Sequence, residues 1–451
     1  MDLLRKITVT TALGLLVAAG GPIWSQEPEP AVPTFADEAI AAAIEDETVR
    51  LLVADVLERN PRLAAARAEA AAAALRAPQV AALPDPVAGL TLFLQSPETR
   101  VGPQRGSVSL SQRFPWFGKL RLRERAAVLE AASAEARVGA IRLELITETR
   151  RLAYEIAFLR QEAEIVRRDL QTLDHFEELA RARYASGVGL GQAVVKIQAE
   201  ITRAQTRLLD IGQQLVSLEE TLNALRDRSE STPVLGSDLP DVRWREVDDD
   251  ALRAAAVESR PEIAAERALS EAAGLRVELA GRDYRPDLTA GLSYTVVGDR
   301  DDRAGELNPP EDNGKDILGV SASVNLPVWR DRLAAGVEEA VERELAAEES
   351  LRDTIVSIRR QVDDLLRRIP LIAQELELYE NVLLPQAEEA LDSVLGGYSS
   401  GTHDALDLLD AERVLLQVRI AAARTLTDYA IAIARLEGAV ARPVISEMSD
   451  E

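Results

Sequence analysis

Tyr184-Ala185-Ser186-Gly187 and Tyr398-Ser399-Ser400-Gly401 spell one turn twice, 214 residues apart. Working outward from the two copies, other pieces return in the same order. Asn60-Pro61 is echoed by Arg260-Pro261, Leu83-Pro84-Asp85-Pro86 by Arg285-Pro286-Asp287, and Arg113-Phe114-Pro115-Trp116 by Leu326-Pro327-Val328-Trp329. The chain is therefore read as a duplicated unit, and repeats of this kind are settled before any fold is assigned. The copies span residues 47–228 and 247–442, joined by a connector over 229–246 that holds Pro233, Gly236 and Pro240.

Beyond the first Tyr-x-x-Gly turn, apolar or small residues fall at Leu190, Val194, Ile197, Ile201, Ala204, Leu208, Ile211, Leu215, Leu218, Leu222 and Leu225. The steps alternate four and three without a miss. That 3.5-residue period is the seam of a coiled coil, because a globular helix face tends to 3.6 and a wider stripe. The segment before the turn, Lys119 to Ala185, carries a similar seam through Leu152, Ile156, Leu159, Ala163, Val166, Leu170 and Leu173. As one helix it would reach on the order of 100 Å. The second copy repeats the plan from Arg332 to Gly396, with a return helix from Asp404 to Glu437. Pro370 and Pro385 predict a kink or interruption there, since proline removes a backbone donor and crowds the preceding turn. The shorter leading helices, Val49 to Ala81 and Asp248 to Gly281, are rich in alanine.

Between the first and second helices of each copy the period changes to two, which predicts strands at about 87–95, 107–114, 288–297 and 317–325. One face reads Ala88, Leu90, Leu92 and Leu94; Val108 and Leu110; Leu288, Ala290, Leu292, Tyr294 and Val296; Leu318, Val320, Ala322 and Val324. The other reads Thr91, Ser107, Ser109, Ser111, Thr289, Ser293, Thr295, Ser321 and Ser323. Small polar residues on one side and apolar ones on the other match the wall of an outer-membrane barrel. Leu90, Leu92, Leu94, Val108, Leu110, Leu292, Tyr294, Val320 and Val324 are the candidate lipid-facing set. A soluble sheet covered by another layer would show the same alternation. Phe93, Phe114, Trp116, Phe117 and Trp329 cluster at strand ends, where interface girdles are expected. Four strands cannot close a barrel, so a barrel requires several copies.

Composition bounds the rest. Aromatics make up 4% of the 451 residues and the formal net charge is -24, which excludes nucleic acid as a natural partner. The chain has no cysteine, so disulfides and thiolate metal sites are excluded. Residues 1–25 read as a secretory signal: Arg5 and Lys6, an apolar run from Val9 to Ala19, then small residues. The expected mature protein is exported and has no cysteine at the cleavage point to carry a lipid. It begins with an extension over 26–46 and ends in a tail over 443–451. Past the signal no run of 18 apolar residues occurs, so any membrane crossing must use strands.

Duplicated helix-strand-strand-helix-helix units, with a Tyr-x-x-Gly turn at each helical tip, resemble the TolC-like outer-membrane efflux channel family over nearly the whole mature chain. Gln112 to Lys119 (QRFPWFGK), Tyr284 to Asp287 (YRPD), Asn325 to Arg330 (NLPVWR) and Tyr398 to Glu412 (YSSGTHDALDLLDAE) are similar to its cation-efflux branch of the cobalt-zinc-cadmium type. The fold so implied is mostly α with a small β part. Long antiparallel coiled-coil rods form an α-barrel, and four strands per protomer join a twelve-stranded transmembrane β-barrel in a homotrimer. The implied partners are outer-membrane lipid, a periplasmic adaptor (membrane fusion) protein and an inner-membrane resistance-nodulation-division pump. The adaptor would dock at the tip formed by Tyr184, Gly187, Tyr398 and Gly401.

Asp404, Asp407 and Asp410 follow the second turn at a spacing of three and share one side of the return helix. In the family, acids matching Asp407 and Asp410 ring the narrow periplasmic entrance, where a carboxylate ring would draw cations. Acids in a first helical turn also simply offset the helix dipole. At the 214-residue offset Ala193 and Lys196 stand in the first copy, so any ring comes from the second copy alone. His403 beside the acids suits zinc or cobalt, but His175 is the only other histidine. No nucleophile is paired with a base and no glycine loop suits phosphate, so neither enzyme nor cofactor is expected. The expectation is a passive exit duct opened by untwisting of the tip helices. A periplasmic coiled-coil scaffold without a membrane barrel is the competing reading.

Overall fold

A computed structural model describes residues 37–229, 232–234, 239, 248–300 and 302–444. The expected signal, residues 26–36 of the extension, most of the connector and residues 445–451 of the tail lie outside the described residues. The extension holds α1 (Asp37–Ala42), and the first copy runs α2 (Glu47–Arg59), α3 (Pro61–Ala74), α4 (Arg76–Ala81), β1 (Val87–Leu92), β2 (Glu98–Thr99), β3 (Gly102–Phe114), α5 (Lys119–Ala185) and α6 (Gly191–Leu225). The second runs α7 (Asp249–Ser259), α8 (Pro261–Arg282), β4 (Leu288–Val297), α9 (Arg303–Leu307), β5 (Ile317–Val324), α10 (Arg330–Leu378), a widened turn over Tyr379–Leu383, α11 (Leu384–Ser400) and α12 (Ala405–Val440).

The leading helices are not continuous as expected; they break at Asn60 and Arg260. Each stands before a proline, which pushes the preceding residue out of helical geometry. Asn60 then caps the next helix, accepting from the Leu63 N–H at 3.1 Å, while its amide donates to the Leu225 carbonyl at 2.9 Å. One side chain thus ties the start of the copy to its end. In the second copy, where a kink or an interruption is expected at Pro370 and Pro385, α10 passes through Pro370 without interruption. The break comes only before Pro385, where the Leu384 N–H reaches back five residues to Tyr379. The widened turn absorbs the donor that proline lacks.

α5 is the spine, packed by α2, α3, α4, α6, α8 and α12. Leu152, Ile156, Leu159, Ala163, Val166 and Leu173 are buried along it. Leu170, expected in the seam, is only half-buried, and Asp169 occupies the buried position instead. On α6 the seam splits by depth: Ile197, Ala204 and Ile211 are buried, while Val194, Ile201, Leu208 and Leu215 are half-buried. Leu190 at its start is 74% exposed.

The strands form one antiparallel sheet in the order β1-β3-β4-β5, with β2 paired to the start of β3. β1 stops at Leu92, short of the expected 95, and β3 begins at Gly102, ahead of the expected 107, because residues 98–103 turn back in a small hairpin. A register shift between Gln104 and Gly106 separates that hairpin from the regular sheet.

Sheet and rods are fastened at Asp287, just ahead of β4. Its carboxylate accepts from the Trp116 N–H at 2.9 Å and from Lys119 Nζ at 3.1 Å, and it pairs with Arg113. Its backbone exchanges hydrogen bonds with Asn325 at the end of β5. Lys119, 4% exposed, also meets Asp283 at 3.1 Å. Burial would raise the Asp287 carboxyl, but the Trp116 N–H, Arg113 and Lys119 together hold it at about 2. Because the folded value lies below the ordinary one, its stabilisation is complete above about pH 4 and is lost as pH falls through about 2. Asp287→Asn should therefore cost about 1–3 kcal/mol at neutral pH by leaving buried donors underused. In thermal unfolding of the detergent-solubilised protein, the gap to wild type should narrow as pH is taken down toward 2.

Candidate functional site

Both copies close their long hairpins with one backbone device. The Gly187 N–H donates to the Tyr184 carbonyl at 3.0 Å and the Gly401 N–H to the Tyr398 carbonyl at 3.2 Å. Gly187 has φ 79° and Gly401 has φ 84°, left-handed values that a side chain disfavours by roughly 1–2 kcal/mol. The two tips touch. Arg183 donates to the Tyr398 carbonyl, and its guanidinium lies 4.6 Å from the centre of the Tyr398 ring. Tyr398 is buried in the apolar cluster at its tip, whereas Tyr184, Val188 and Leu190 stand exposed at the other.

Past Gly401 the chain enters α12 through a reciprocal cap. The Asp404 carboxylate accepts from the N–H groups of Leu406, at 2.7 Å, and Asp407, at 3.1 Å. Asp407 returns the contact, accepting from the Asp404 N–H at 3.1 Å. The His403 ring nitrogen lies 3.2 Å from the same Asp407 oxygen. The Asp404 N–H first, and then His403, hold the Asp407 carboxyl below the ordinary range. Asp410 stands free of the cap, its side chain 78% exposed and 3.8 Å from Arg413. All three acids face solvent, opposite the buried Ala405, Leu408 and Leu409. Two of them are engaged in starting the helix, whereas Asp410 has only the long pairing with Arg413.

His403 and Asp407 are the nearest approach to a metal site, and among the described residues no group of three or more His, Asp or Glu side chains is placed to hold an ion. His175 lies on the exposed side of α5.

The sheet carries the other candidate surface. Register sets Leu90, Val108, Tyr294 and Leu318 in one row across four strands and Leu110, Leu292 and Val320 in the next. The opposite face runs Gly89, Ser109, Ser293 and Gly319, then Thr91, Ser107, Thr295 and, at its β5 end, Ile317. The apolar face is bare: Leu90 and Leu92 are each 70% exposed and Val320 is 81% exposed. Leu94, Val108, Leu110, Leu292, Tyr294 and Val324 are exposed as well. This is the reverse of a soluble sheet under a covering layer. Among the described residues no helix is long and apolar enough to cross a membrane.

The Asp287 cluster was not visible as a unit in the sequence. Its signal was there in the three proline motifs at strand ends, which supply Arg113, Trp116 and Lys119, then Asp287, then Asn325.

The family model described as outer membrane efflux protein matches residues 52–226 and 252–442, one stretch in each copy. The chain is 24% identical over 339 residues to the pyoverdine export outer membrane protein OpmQ of Pseudomonas aeruginosa, covering 74% of this chain and 67% of that protein. It is 22% identical over 332 residues to the cobalt-zinc-cadmium resistance protein CzcC of Cupriavidus metallidurans, covering 72% of this chain and 74% of that protein. The fold matches the outer membrane protein VceC of Vibrio cholerae with a TM-score of 0.73 at 22% identity, over 88% of this chain and 97% of the other.

The cap and the exposed acid separate by mutation. Asp404→Ala should cost about 1 kcal/mol, the usual loss on removing an N-cap. Asp410→Ala should stay within about 0.5 kcal/mol of wild type, as surface changes do. Thermal unfolding of both variants at neutral pH makes the comparison.

Proposed function

The chain belongs to the outer membrane efflux protein family, and from that premise we propose that three copies assemble into the exit duct of a tripartite efflux system. In this reading the duct takes cargo from a periplasmic adaptor and an inner-membrane resistance-nodulation-division pump and releases it outside the cell. The observation that carries the assembly is the bare apolar face of a sheet whose edge strands, β1 and β5, are each paired on one side only. Twelve strands pooled from three copies would remove those edges and turn the Leu, Val and Tyr rows to lipid. The Ser, Thr and Gly rows would then line a wet lumen.

The rods support the same assembly. Val195, Leu209 and Val216 on α6 and Val341, Leu345, Leu371 and Leu378 on α10 are exposed. In the assembly, neighbouring copies would cover these side chains on a surface otherwise rich in Glu and Arg. Tyr184, Gly187, Tyr398 and Gly401 would present the turns to the adaptor. We assign Asp404, Asp407 and Asp410 to three-fold rings at the periplasmic entrance, with Asp410 the principal contributor because its carboxylate is not committed to the cap.

Metal cations are the proposed cargo, supported by the likeness to CzcC and by an acidic entrance. The likeness to OpmQ keeps an organic, siderophore-like cargo as the second reading. A deletion strain should lose resistance to zinc, cobalt or cadmium; unchanged metal tolerance with new sensitivity to organic compounds would favour the second reading. In planar bilayers the purified protein should conduct, and Asp407→Ala with Asp410→Ala should lower its preference for cations. An unchanged reversal potential in asymmetric salt would remove the ring assignment.

A further inference from the structure

α5 buries three charged residues along the face that meets α6 and α12. Arg150 is paired with Glu437 and Glu162 with Arg207, opposite charges in both cases. The third, Asp169, has no such counter-charge beside it and shares its cavity with a second buried acid, Glu412 of α12. Asp169 is 6% exposed and Glu412 is 4% exposed. Ionised carboxylates only accept hydrogen bonds, so the two acids can bond to each other only while a proton sits on one of them.

The surroundings do not offer a substitute for that proton. Oδ1 of Asp169 and Oε2 of Glu412 meet no donor, and both residues line a cavity of about 220 Å³ between α5, α6 and α12. From α6 the cavity is faced by Glu200, Arg203 and Arg207, and from α12 by Arg413. These charges are committed to one another: Glu200 pairs with Arg203 and Arg413, and Arg207 with Glu162. Arg419 of α12 favours the ionised form of both acids but is itself paired with Glu388 of α11. With the arginines matching the acids around it, the cavity has no excess negative charge to hold a metal ion.

We propose that Asp169 and Glu412 form a proton-dependent clasp that holds the N-terminal part of α12 against α5 and loosens when the shared proton is lost. Burial, and then Asp169, push Glu412 up to about 8, and burial also raises Asp169. A carboxyl in the unfolded chain ionises near pH 4.3. Keeping Glu412 neutral therefore opposes folding increasingly as pH climbs from there to about 8, so the clasp is firm in mild acid and weak in alkali. Glu412 lies five residues beyond Asp407 and two beyond Asp410 on the same helix, so a loosened clasp frees the segment that carries the exposed acids. The inference concerns a contact inside one copy and does not depend on the assembly or the cargo.

Infrared pH-difference spectra of the full chain in detergent, taken from about pH 6 to pH 9.5, read the clasp directly. Wild type should lose a buried carboxylic-acid carbonyl band with a midpoint at about 8, and its Tm should fall by a few degrees over the same interval. In E412Q the amide donates to Asp169 with no proton to lose, so the band should be absent and the fall in Tm abolished. D169N should also remove the band, and it decides the matter should E412Q fail to fold. The clasp is overturned if wild type shows no titrating acid band, or if the variant that folds titrates as wild type does.

Discussion

A sheet with one face of Leu, Val and Tyr open to its surroundings sets the terms for everything attached to it. Rows such as Leu90, Val108, Tyr294 and Leu318 cross all four strands of the regular sheet, and nothing in the described chain lies over them. In water such a face would drive aggregation, and two half-paired edges would compound it. In lipid the same face is at home, provided that closure removes the edges, because an unpaired backbone group in hydrocarbon costs several kcal/mol. The rods inherit this arrangement. α5 leaves β3 and α10 leaves β5 after short links, so the placing of strands around a barrel also places the helices below it.

That inheritance needs a rigid joint, and Asp287 provides one. Its carboxylate gathers Arg113, Trp116 and Lys119 from the first copy, and its backbone gathers Asn325 from the second. The end of β3, the start of α5, the start of β4 and the end of β5 are held by one residue. At the far end the fold repeats a simpler device, a left-handed glycine after a tyrosine, and uses Arg183 to lock one tip onto the other. Between these ends the long helices are apolar at the seam and salt-bridged outside it. Most of the surface pairs contribute little individually, and the buried ones are where charge becomes consequential.

Much of this was legible in the sequence because periodicity carries it. A step of two residues gave β4 its bounds, and alternating steps of four and three gave α6 its seam. Residues that obey no period were harder. Asp169 sits where the heptad allows either it or Leu170, and period alone favours the apolar residue; the structure buries the acid instead, beside the cavity that Glu412 also lines. Pro370 illustrates a different gap. A proline signals a lost hydrogen bond, but α10 passes it and widens only before Pro385, a choice that local sequence does not encode. The acids at Asp404 and Asp407 carried two readings from the start, and the structure supplies the cap without displacing the ring, since a carboxylate that accepts backbone N–H groups still bears its charge.

The central claim is that β1 of one copy lies beside β5 of the next. The chain has no cysteine, so engineered pairs report without background. Within one copy β1 and β5 are three strand spacings apart, roughly 14 Å, too far for a disulfide. Cysteines placed pairwise at Gly89 or Thr91 and at Gly319, Ser321 or Ser323, then oxidised in outer membranes, should give for at least one pair a covalent ladder that ends at three chains. A monomeric product from every pair, or a protein recovered as a single chain without detergent, would contradict the account.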